Sequence, residues 1–189
     1  MILLSTIPFT LIGRVLLVSA LMLIVARTAS AQNTHALPLR VLKLSSAFGN
    51  RLHPVTGKLD FHKGVDLQAR SEPVFAILPG KVFACGYHPI LGNFVTIAHG
   101  ELQSIYGHLS SIMVQTGKEV KAGEFIGVTG DSGRATGEHL HFSISFKQIY
   151  IDPLKYLFFL SENISSQRGC DREADIRFIG EIVVEKTIR

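Results

Sequence analysis

Between Phe48 and about Leu160, apolar residues come in short runs broken by Gly, Pro and Asn, with no long stretch at helical spacing. Val74 to Leu78, Lys81 to Cys85, Phe94 to His99, Glu124 to Val128 and His139 to Phe146 each read as a strand bounded by turn residues. This pattern predicts an all-β domain over 47–160, built as an antiparallel β-sheet or sandwich. Residues 32–46 carry Pro38 and no period, and read as a lead-in. Residues 161–189 mix charges with an apolar stretch, and form a C-terminal extension with no assignable role. The run from Thr116 to Gly127 places glycines around Val120 and Ile126, the punctuation of a tight turn between short strands.

Alternation along the strands sorts the polar residues. In His139 to Phe146, Leu140, Phe142, Ile144 and Phe146 share one face, and His139, His141, Ser143 and Ser145 share the other. The apolar face can anchor in a core while the polar face offers two imidazoles to a groove. The same rule applied to His62 to Leu67 puts His62, Gly64 and Asp66 on one face and leaves open space over Gly64.

The first thirty residues follow a different logic. Val15 to Ala26 is an apolar run behind Arg14, and Ala29-Ser30-Ala31 is a small-x-small site, so 1–31 reads as a signal peptide. Export to the periplasm or cell envelope follows. The apolar stretch from Ile2 to Ile12, ahead of Arg14, is unusual for such a leader; uncleaved, the two runs would supply a membrane span. Membrane association is expected only in that case.

Composition adds mainly exclusions. Without Arg14 and Arg27 the formal charge falls from +4 to +2, and no basic block or aromatic-interleaved basic stripe exists, so nucleic acid is not an expected partner. Export permits a disulfide between Cys85 and Cys170, although Cys85 lies in the apolar run Val82-Phe83-Ala84-Cys85 and fits a small buried hydrophobe. A monomer is expected.

Candidate chemistry is concentrated in three fragments: His62-Lys-Gly-Val-Asp66, Tyr106-Gly-His108 and His139-Leu-His141. A catalytic zinc site keeps three nitrogen or oxygen ligands and leaves one position open, so two imidazoles and one carboxylate from this set meet the count. The remaining two histidines become candidates for proton transfer and oxyanion stabilisation. No His-Glu-x-x-His is present, so histidine has to take the part of the glutamate base in that motif. Taken singly, His35, His53, His88 and His99 fit packed or solvated residues better than ligands.

Phe48-Gly-Asn-Arg-Leu-His-Pro54, His62-x-x-x-Asp66, Gly80-Lys-Val82, Gly92-Asn93, Tyr106-Gly-His-Leu109, Gly123 to Gly127 and Thr136-Gly-Glu-His-Leu-His-Phe142 together resemble the lysostaphin-type zinc metalloendopeptidases that hydrolyse peptidoglycan. The resemblance runs from about Phe48 to Leu157. It implies a groove across one sheet, with the duplicated hybrid motif of that family. It also implies one Zn2+ per chain on His62, Asp66 and His141, with His108 and His139 as catalytic histidines and Asn50, Arg51 and Tyr106 along the groove. The implied substrates are peptidoglycan stem peptides and their cross-links, with direct D-amino-acid links favoured over oligoglycine bridges. Glu72 and Glu138 depart from the family pattern. The competing expectation is a catalytically silent wall-binding regulator of another hydrolase. All five chemical positions are filled here, and no heptad arm is present.

Overall fold

Period-two runs of Val, Ile, Leu and Phe pair into ladders that bury one face, and this places the core. The computed structural model describes residues 34–52 and 57–165, so the leader, His53, Cys170 and the last part of the C-terminal extension lie outside the described residues. Twelve strands are formed in chain order among these residues. They are β1 (Leu44–Ser46), β2 (Gly49–Leu52), β3 (Leu59–His62), β4 (Val65–Gln68), β5 (Pro73–Phe75), β6 (Gly80–His88), β7 (Gly92–His99), β8 (Leu102–Ile112), β9 (Glu119–Val120), β10 (Phe125–Thr129), β11 (His139–Phe146) and β12 (Ile149–Ile151). One helix, α1 (Pro153–Ser165), follows.

All the pairings are antiparallel, as the short punctuated runs predict. The main sheet has the order β1-β4-β11-β8-β7-β6-β9, with β10 joining β5 to β8 and β12 on β11; β2 and β3 form a separate hairpin. Val65, Leu67, Val95, Ile97, Leu140, Phe142 and Ile144 fill the core without measurable exposure. At roughly 25 cal/mol per Å2 of apolar surface, each such side chain contributes about 1.5–3 kcal/mol.

Several expectations need correction. The lead-in is structured: Leu39 is buried, Ala36 N–H donates to the Ile77 carbonyl at 2.8 Å, Phe75 N–H donates to Pro38 at 3.0 Å, and β1 extends the main sheet. His62 to Leu67 is not one strand, because β3 ends at His62 and β4 starts at Val65, with Lys63-Gly64 bending between them. A Cβ on Gly64 would sit 2.4 Å from Ser143 Oγ and 2.5 Å from the Phe142 carbonyl oxygen, so this bend rests directly on β11. The longest strand, β8, carries so many polar residues that its pattern gave no strand signal.

The helix has a readable start that periodicity alone did not reveal. Asp152 Oδ1 accepts the Leu154 N–H at 2.9 Å, and Pro153 fills the first helical position, where its missing N–H costs nothing. Tyr156, Leu157 and Leu160 are buried, and α1 packs on β11. The helix runs through position 160, the expected end of the domain.

Candidate metal centre

Register across the central ladder brings the first residues together. In the β4–β11 pair, His141 lies directly opposite Asp66, and both are on the side facing away from Leu67 and Leu140. His62, at the end of β3, is delivered beside them by the bend over Gly64. Asp66 Oδ1 lies 2.9 Å from His141 Nδ1 and 3.2 Å from His62 Nε2, and these two ring nitrogens are 3.1 Å apart.

The outward ring atoms are tethered. His62 Nδ1–H donates to the Ala47 carbonyl at 2.8 Å, and His141 Nε2 and Ser143 Oγ share a hydrogen bond at 2.9 Å. In the tautomer in which His141 Nε2–H donates to Ser143, His62 Nε2, His141 Nδ1 and Asp66 Oδ1 turn three lone pairs to one point. Such a triangle is stable only with a cation inside it, a proton or a metal ion. Bonds of about 2.0–2.1 Å to a tetrahedral zinc would separate ligands by about 3.3 Å, close to the spacing here. The residues therefore fit a divalent ion of zinc's preferences.

The electrostatics agree. Burial pushes the Asp66 carboxyl upward, but the His141 and His62 rings outweigh it and hold the carboxyl well below its ordinary range. Burial acts on His141 in the other sense and lowers its pKa. An ionised Asp66 and a neutral His141 ring, the latter favoured by burial, are protonation states a metal needs. Arg51 sits 3.5 Å from Asp66 Oδ2 and also donates to Ser46 Oγ, which fixes the second carboxylate oxygen.

His108 arrives by a different device. Between Asn93↔Leu109 and Val95↔Tyr106, β8 advances three residues while β7 advances two, so β8 bulges at Gly107-His108. His108 has φ 59°, a left-handed conformation that non-glycine residues seldom adopt. Its N–H donates to the Leu91 carbonyl at 2.6 Å, and its Nδ1–H donates to Ser132 at 2.8 Å. Burial pushes its pKa down to about 4, so the ring is neutral at pH 7. Its centroid lies 4.6 Å from that of His139 and 5.8 Å from that of His141. His139 Nδ1–H donates to Gly137 at 2.7 Å, and its Nε2 is 3.7 Å from Asp66 Oδ1.

All five expected chemical residues thus line one cleft of about 1000 Å3. His62, Asp66, His108 and His141 are only 6–9% exposed. Arg51 is also in the wall. Two expected groove residues are not. Tyr106 is fully buried, its ring 5.3 Å from Phe142 and its hydroxyl accepting the Ile77 N–H at 3.0 Å. The bulge is the reason, since it turns His108 to the cleft while Tyr106 stays in the core. Asn50 is exposed on β2 and does not line the cleft, because adjacent strand residues point to opposite faces and Arg51 takes the inner one.

The chain matches the model of peptidase family M23 over residues 60–153. The catalytic domain of lysostaphin from Staphylococcus simulans has the same fold, with a TM-score of 0.57 and 31% identity; the match covers 61% of this chain and 92% of that domain. This chain belongs to peptidase family M23. A zinc-containing peptidase from Vibrio cholerae is 34% identical, with a TM-score of 0.61, covering 66% of this chain and 40% of that one. The peptidoglycan DD-endopeptidase ShyC of Vibrio cholerae is 40% identical over 119 residues, 61% of this chain and 28% of the relative. This M23 chain spans between 25 and 31% of the length of eight curated relatives that it matches.

Sequence reasoning missed the groups that hold the histidines. Ser132 and Ser143 carry no motif signal, and the Ala47 and Gly137 carbonyls are invisible to any side-chain pattern. His88 lines the cleft, but its Nδ1 accepts the Ile90 and Leu91 N–H groups at 3.2 and 3.4 Å and so closes a turn. His99 Nδ1–H donates to the Pro79 carbonyl and its Nε2 pairs with Ser104 Oγ, and His35 is half-buried beside Thr34; neither reaches the cleft. Cys85 is a free, half-buried thiol among the described residues.

Proposed function

We propose that this chain is an exported zinc endopeptidase that hydrolyses peptide cross-links of bacterial peptidoglycan, holding one Zn2+ on His62, Asp66 and His141. The observation that carries this reading is the triangle of three ligand atoms, 2.9–3.2 Å on a side, flanked by two further tethered imidazoles. The substrate comes from the relatives, among them DD-endopeptidases of peptidoglycan and lysostaphin. Since that substrate lies outside the inner membrane, the leader-like sequence of residues 1–31 supports the same conclusion.

When bound, zinc supplies Lewis-acid polarisation of a carbonyl and acidification of water. The chain's own residues do the rest. In hydrolysis the water oxygen adds to the carbonyl carbon, the C–N bond breaks, and a water proton ends on the leaving amine. His108 and His139 divide the handling of that proton and the stabilisation of the developing oxyanion. Each has Nδ1–H committed to a backbone carbonyl, so Nε2 is the atom that takes or gives a proton. The low pKa of His108 keeps that atom unprotonated at neutral pH.

The test is His141→Ala assayed on purified sacculi, with zinc content measured alongside. Loss of zinc together with loss of released cross-linked peptides is expected. Undiminished release would overturn the reading.

A further inference from the structure

The cleft wall is unevenly charged once its internal partners are counted. Three acidic side chains line it; two are offset by cations, while Asp60 keeps its charge and has a backbone partner. Asp66 is held by His62, His141 and Arg51; Glu138 lies 3.6 Å from Arg70 Nε and accepts from Ser71; Asp60 Oδ1 accepts the Phe61 N–H at 2.8 Å. Of the three cations in the wall, Arg51 is committed to Asp66. Lys63 and Arg134 are exposed and have no carboxylate partner among the described residues.

These two cations stand on opposite edges of β11. Lys63 belongs to the bend between β3 and β4, next to His62, and its Nζ lies 5.3 Å from the centroid of the Tyr150 ring on β12. β4 and β12 both pair along one edge of β11. Arg134 is in the loop between β10 and β11, and its N–H donates to the Ile90 carbonyl at 3.0 Å, which ties it to the β6–β7 turn. That turn lies beyond β8 and β7, on the other edge of β11. A peptide laid across the metal centre therefore meets, on each side, one cation that is in no ion pair among the described residues.

We propose that Lys63 and Arg134 are specificity-determining residues that take free carboxylates flanking the scissile bond, so the preferred cross-link is anionic. This rests on the hydrolase reading above and deepens it. A direct link between D-alanine and the side-chain amine of a diamino diacid carries such carboxylates, whereas an oligoglycine bridge offers none. Lys63 is suited to the task because the Tyr150 ring orients its ammonium group without neutralising it. Both contacts are solvent-exposed, so each acts through a modest, salt-screened attraction.

The test uses the full chain loaded with zinc and two synthetic cross-linked peptides of this direct type, one with free carboxylates and one with the same groups amidated. KM from cleavage and Kd from calorimetry are measured in parallel, at low and high salt. The amidated peptide is expected to show a KM and Kd about three- to tenfold higher at low salt, with the gap narrowing in high salt. In the double variant Lys63→Gln, Arg134→Gln the ratio falls towards one, and Lys63→Arg restores its share. Equal values for the two peptides with the unaltered chain would overturn the proposal, as would an undiminished ratio in the double variant at normal zinc content. If neither these peptides nor purified sacculi are cut, the hydrolase reading fails, while the binding ratio still decides the charge reading.

Discussion

The two halves of the cleft are built on different principles. His62, Asp66 and His141 occupy regular strand positions, and the ladder register itself sets their spacing, with His141 opposite Asp66. His108 sits on a bulge at φ 59° and is held by a loop, through Ser132 and Leu91. The regular half presents three ligand atoms by geometry shared with the whole core. The irregular half aims one side chain by local exceptions, at a cost of about 1–3 kcal/mol of backbone strain that the surrounding contacts offset.

If that contrast is right, damage to the two halves separates metal binding from turnover. His62→Ala has the largest expected effect: zinc is lost and cross-link hydrolysis falls below detection, as atomic absorption and muropeptide release will show. His108→Ala keeps its zinc while kcat falls about 10^2–10^4-fold, the usual range for a proton-transfer group. Zinc loss in that variant would erase the distinction between the halves.

The glycines sharpen the comparison further. Gly64→Ala drives a Cβ into Ser143 and the β11 backbone, so it lowers stability by about 2–4 kcal/mol and weakens zinc binding together. Gly133→Ala places a Cβ 2.2 Å from Gly92 N at φ 74°, shifts the loop that carries Ser132, and reduces kcat while zinc remains. Denaturant titration with zinc analysis reads both.

A smaller effect is expected from pH. His108 binds a proton near 6.5 when unfolded but only near 4 when folded, so stability is complete above about pH 6.5 and is lost as pH falls towards 4. His99, also lowered by burial, adds to the loss in the same direction. The slope of stability against pH in this window will be shallower in His108→Gln; an unchanged slope would remove His108 from the account. The smallest effect is assigned to the far end of the molecule, where Asp152→Ala removes the helix cap and costs about 1 kcal/mol without changing zinc content or kcat.

Much of this was legible beforehand, for reasons that differ by element. β11 spans His139–Phe146 as the alternation predicts, because a strand with one fully apolar face has only one way to be buried. β8 was missed because its 11 residues include Gln103, Ser104, Ser110 and Ser111, which hide its period, and α1 because a helix opened by Asp152-Pro153 is too short to dominate the pattern. Tyr106 and Asn50 were misplaced for one reason: which face a residue takes depends on bulges and hairpin register that no local pattern encodes.

The sequence by itself determined the residue types at the centre, their order, the antiparallel β class and the glycines that allow close approach, since these follow from side-chain chemistry and from short-range backbone sterics. Only the tertiary structure decided that Asp66 faces His141, that a bulge turns His108 inward and Tyr106 outward from the cleft, and that Lys63 and Arg134 are left without partners. Those facts depend on contacts between strands far apart in the chain, where register, not composition, fixes the distance.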